Sequence, residues 1–76
     1  MPTIFIEDGF RFMIYPDDHP PAHVHAIGAG CMMRIGLEPL QLLSSVGAKA
    51  NDVRRAMEIA ARRRGELLAA WKKHHG

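Results

Sequence analysis

At 76 residues the chain has room for a single domain, spanning residues 1–76. A domain this small buries only about 60% of the surface its unfolded chain exposes, and Cys31, the sole cysteine, excludes an internal disulfide. The net charge of +2 is split unevenly, with eight basic against three acidic residues from residue 49 onward and two against five before it, or +5 against −3. Such polarity suits a charged partner or head-to-tail pairing with a second copy.

In chain order, the front half has the pattern of strands. Ile4–Glu7 and Phe10–Tyr15 flank Asp8-Gly9, the strongest short signal for a type I′ hairpin. Alternation in the second run puts Phe10, Phe12 and Ile14 on one face and Arg11, Met13 and Tyr15 on the other. Pro16, Pro20 and Pro21 interrupt any ladder. His23–Ile27 resumes a strand, Gly28-Ala29-Gly30 turns it, and Cys31–Leu37 alternates again. Leu40–Leu43 adds a further short strand after Glu38-Pro39. The strands therefore occupy roughly residues 3–44.

The back half, roughly residues 51–74, has helical periodicity. Asn51 is the predicted N-cap, with Asp52 in the first turn, where the helix dipole favours an acid. Val53, Met57, Ala60, Leu67 and Trp71 form an amphipathic stripe, while Arg54/Glu58, Glu58/Arg62 and Arg62/Glu66 have ion-pair spacing on the outer face. Gly65 leaves open whether this is one long helix or two short ones. Strands first and helix last predict an α+β fold: a small antiparallel sheet of three to five strands with the helical part packed on one face.

Three of the five histidines fall within seven residues, as His19, His23 and His25. On a strand, His23 and His25 share one side with Cβ atoms roughly 7 Å apart, close enough to converge on one metal ion. His19 is a candidate third ligand, with Asp17 or Asp18 as ligand or orienting partner; a divalent metal such as zinc is the cofactor this spacing allows. The same residues suit acid–base chemistry near neutrality, with Arg11, Tyr15 and Arg34 as candidate phosphate or partner contacts on the open face. They equally suit a structural role, bonding an irregular proline loop. Arg62-Arg63-Arg64 and His74-His75 are more simply a wet helix face and a terminal pair.

The opening Met1-Pro2-Thr3-Ile4, the central Tyr15…Asp18-His19-x-Pro21-x-His23-x-His25 and the closing Glu66-Leu67-Leu68-x-x-Trp71 resemble the bacterial family called domain of unknown function 4160. The family's central pattern is D-H-x-P-P-H-F-H; here Ala22 replaces the second proline and Val24 the phenylalanine, while the histidines keep their spacing. The motif positions that transfer are Asp18, His19, Pro21, His23 and His25, and no catalytic role comes with them. Members are small bacterial and phage-borne proteins, often encoded beside a second small protein and suspected of belonging to toxin–antitoxin-like pairs. The resemblance therefore implies a paired regulatory module.

Two functional expectations follow. The first is an interaction component, working with a small protein partner or as a homo-oligomer. The second is a histidine-dependent, metal-binding or metal-free nuclease-type toxin acting on nucleic acid. The balance favours the first and leans away from an enzyme, because a chain this short can hardly enclose a pocket alone. No segment approaches the roughly 20 apolar residues needed to span a bilayer, and Glu7 and Asp8 interrupt the N-terminal apolar run too early for a signal peptide. A cytoplasmic protein with no membrane partner is expected, which suits one reduced thiol.

Overall fold

The fold was described from a computed structural model, covering residues 3–15 and 17–75, with the side chain of residue 75 outside the description. Five strands, β1 (Thr3–Glu7), β2 (Phe10–Met13), β3 (His23–Gly28), β4 (Cys31–Leu37) and β5 (Leu40–Val46), precede two helices, α1 (Ala50–Arg62) and α2 (Arg64–His75). The strands form one antiparallel meander in sequential order. This is the predicted α+β arrangement, at the upper end of the strand count. Expectations resting on Met1, Pro2, Pro16 and the His75 side chain lie outside the described residues.

The Asp8-Gly9 turn has both residues at positive φ, 52° and 79°, as a type I′ hairpin requires. Cross-strand register then divides the sheet into two faces. Phe12 opposes Ala26, and Val24 opposes Ile35. With Phe10, Ile14, Met33 and Leu37 they are essentially inaccessible and form the core against Ala56, Ile59, Ala60, Leu67 and Trp71 of the helices. Phe5 and Phe12 stack, with ring centroids 4.8 Å apart, and the Arg63 guanidinium lies 3.4 Å over the Phe5 ring. Cys31 is buried in this core, consistent with its position in the alternation.

The opposite face carries one cross-strand row, Ile6–Arg11–Ile27–Met32–Val46, and beside it a second, Met13–His25–Arg34–Ser44. Ile6, Met32 and Val46 are exposed. Met13, expected to share an uncovered face with Met32, is 1% exposed yet outside the main core cluster.

Several boundaries differ from the sequence reading for identifiable reasons. The second strand ends at Met13 rather than Tyr15, because the Tyr15 amide is bonded to Asp18 instead of a neighbouring strand. The fifth runs on to Val46, accommodating a register shift opposite Arg34/Ile35. The first helix starts one residue before Asn51, so its N-cap is Lys49, whose amide donates to Asp52 at 3.0 Å; Asp52, at the third helical position, thus reaches back to the cap residue as in a capping box. The helical part is two helices, and the break falls at Arg63 (φ −109°, ψ 24°) rather than at Gly65.

Tertiary contacts also redirect the charges. Arg62 pairs with Glu7 on β1 and Arg63 with both Glu7 and Glu66, so only Arg54/Glu58 of the three predicted helical pairs forms. Arg55 spans to Asp8 and Asp52. Two of the five acids of the front half, Glu7 and Asp8, are thus paired within the molecule with Arg55, Arg62 and Arg63 of the back half.

Candidate metal centre

The loop between β2 and β3 is built around Asp18. Its amide donates to the Tyr15 carbonyl at 3.1 Å, and its carboxylate accepts the Tyr15 amide at 2.9 Å. A short carboxylate side chain thus closes the turn and aims its oxygens at the start of β3. There His23 and His25 project to the same side, as period-two alternation demands. His25 Nε2 lies 3.2 and 3.3 Å from the two Asp18 oxygens, and His23 Nε2 lies 3.7 Å from Oδ1. One donor atom from each of the three residues lies within 4.8 Å of the others. Four ligands at about 2.0–2.2 Å around a tetrahedral ion are about 3.3–3.5 Å apart, so two of the separations need little adjustment.

The His23 tautomer follows from its other nitrogen. Nδ1 is 2.9 Å from the Pro21 carbonyl oxygen, which only accepts, so Nδ1 carries the hydrogen. In the neutral ring Nε2 then turns a lone pair toward the Asp18 carboxylate 3.7 Å away, and in the protonated ring an N–H; a metal ion between them would take the place of that proton. A ligating imidazole whose second nitrogen donates to a backbone carbonyl is the usual arrangement at metal sites.

His25 differs. Its Nδ1 is buried with no hydrogen-bond partner, at a cost of roughly 1–3 kcal/mol, while the edge of the ring meets Tyr15 at 4.7 Å between centroids. Burial pushes the Asp18 carboxyl up, but the Tyr15 amide and the His25 and His23 rings outweigh it and hold the group below the ordinary aspartate range. Asp18 is therefore an anion at neutral pH, as a ligand must be.

Asp18 and His23 line an open cleft of about 500 Å³, walled by Asp17–Pro21, His23, Arg34 and Leu43, and His25 stands behind them, outside the lining. The cleft is open rather than enclosed, as the chain length led us to expect. Arg34 faces His25 directly across the β3–β4 pair, and Gly36 faces His23; a Cβ at Gly36 would stand 3.3 Å from the Gln41 side chain and 3.4 Å from the Pro39 carbonyl oxygen.

Asp18, His23 and His25 converge. His19 is exposed on the cleft wall and is not in the cluster; the two prolines after it separate it from the strand, so Asp18 occupies the third position expected of His19. Pro21 supplies the carbonyl that fixes His23. Of the expected phosphate contacts only Arg34 lines the cleft: Tyr15 packs on His25, and Arg11 lies one row away, opposite Ile27. Trp71 of α2, read only as core, also packs on the His23 ring at 5.3 Å between centroids.

Residues 9–72 match the family model described as domain of unknown function (DUF4160). The match covers most of the chain, and the protein belongs to this family. No curated protein and no solved structure matches. Among the described residues, no helix is long and apolar enough to cross a membrane.

Proposed function

We propose that this protein binds a divalent transition-metal ion through Asp18, His23 and His25, and that the ion serves metal-assisted chemistry in the adjoining cleft. The observation that carries the reading is the convergence of one donor atom each from Asp18, His23 and His25 within 4.8 Å, with His23 Nδ1 bonded to Pro21 so that Nε2 is the atom turned to the carboxylate. Two imidazoles and one carboxylate are a ligand set used by zinc hydrolases and by non-haem iron enzymes. Three protein ligands also leave a position for an exchangeable group. An ion there would act as a Lewis acid or lower the pKa of bound water, which is the metal-dependent form of the nuclease-type reading.

Native mass spectrometry of the untagged chain with zinc tests the proposal. One zinc per chain is expected, and its loss in the His23→Ala/His25→Ala double variant. Equal zinc uptake by both proteins would refute it.

A second reading, a component of a two-protein regulatory module, is favoured by the exposed Ile6, Met32 and Val46 in one row of the helix-free face. Small-angle scattering showing a strict monomer, with no partner recovered from the host, counts against it.

A further inference from the structure

We propose that the exchangeable ligand of this centre is a phosphoryl oxyanion, held between the metal ion and Arg34. The inference rests on the metal-binding reading and adds the class of substrate. Arg34 lines the cleft and stands directly opposite His25, where facing Cβ atoms are about 4.5–5.5 Å apart. Its Nε donates to Ser44 Oγ at 3.1 Å, which orients the guanidinium and leaves both terminal nitrogens without a carboxylate among the described residues. Arg54, Arg55, Arg62 and Arg63, by contrast, each engage a carboxylate. Arg34 is therefore an oriented cation with its fork available.

Charge and shape then select the ligand. A divalent ion, one carboxylate and two neutral imidazoles leave a net positive centre, and Arg34 adds to it; Asp17 on the cleft wall is the opposing charge. An oxyanion is the complement. A guanidinium fork engages two oxygens at once. A carboxylate so held would have to share one of those two oxygens with the metal, whereas a phosphoryl group offers a third.

The experiment uses the full chain loaded with cobalt(II), whose visible spectrum reports changes in its ligands, titrated with inorganic phosphate and, separately, with acetate. A saturable spectral shift is expected, with phosphate binding about tenfold or more tighter than acetate. Arg34→Gln is expected to weaken phosphate by about tenfold, with cobalt affinity and thermal melting unchanged, and Arg34→Lys to fall between. Cobalt binding with no phosphate response, with acetate equal to phosphate, or with Arg34→Gln indistinguishable from wild type would overturn the oxyanion proposal alone. Failure to take up cobalt would overturn it together with the metal reading.

Discussion

Asp18→Asn is expected to lower affinity for a divalent ion by about 100-fold or more while leaving the chain folded. The substitution keeps the size of the side chain and an oxygen that can accept the Tyr15 amide, so the turn survives. It removes the one negative charge in the ligand set. Loss of an outer partner at a metal site costs about 10–100-fold in affinity, and loss of the charged ligand belongs at or beyond the top of that range. About 100-fold corresponds to about 2.7 kcal/mol. Zinc titrated against wild type and variant at neutral pH measures it, with circular dichroism to confirm the fold. If Asp18 serves only to fasten the loop to β3, the variant melts earlier and its zinc affinity is unchanged.

Phe12→Ala is expected to bring the protein to the edge of unfolding. Phe12 is fully buried at the centre of the β2 core face and stacks on Phe5. Truncating a buried phenylalanine costs about 3–5 kcal/mol, from lost transfer energy and from the cavity left behind. A chain of this length has a total stability of about 4–11 kcal/mol at the usual per-residue values. The loss is therefore comparable with the whole margin, and no disulfide exists to offset it. Urea unfolding followed by circular dichroism gives the difference; a loss below about 1 kcal/mol would show that Phe12 does not anchor the core. Because Trp71 belongs to the same core and packs on His23, damage to the core is also expected to disturb the metal centre.

The sheet was legible in the sequence where one local pattern determined it. The Asp8-Gly9 turn and the alternation of Phe10, Phe12 and Ile14 specify a hairpin and its buried face without reference to anything distant. The pairing of His23 and His25 on one side follows from the same period of two. What was not legible depended on the path of the chain between elements. Asp17 and Asp18 are equivalent as neighbours in sequence, and only the turn back onto the Tyr15 amide selects Asp18. His19 has as good a claim as His23 by spacing, but it lies on the far side of Pro20 and Pro21 from the strand.

The contribution of Trp71 was hidden for a similar reason. Its helical periodicity marks it as core, and nothing local ties it to a residue 48 positions earlier. Likewise, the opposed charges of the two halves suggested an intermolecular role, yet Glu7 and Asp8 lie under α1 and the α1–α2 junction, and their partners are Arg55, Arg62 and Arg63. The helix break shows the limit of propensity: Gly65 marks the neighbourhood, while Arg63, bonded to Glu7 and Glu66, is the residue that leaves helical geometry.

The most direct test of the central claim is long-range proton–nitrogen NMR of the imidazole rings, recorded at neutral pH before and after one equivalent of zinc. The account predicts that His23 is in the Nδ1–H form, and that zinc shifts the Nε2 resonances of His23 and His25 while His19 and His74 stay in place. Zinc-induced shifts confined to His19 or His74, or none at all, would contradict it and leave Asp18, His23 and His25 as a clasp for the loop.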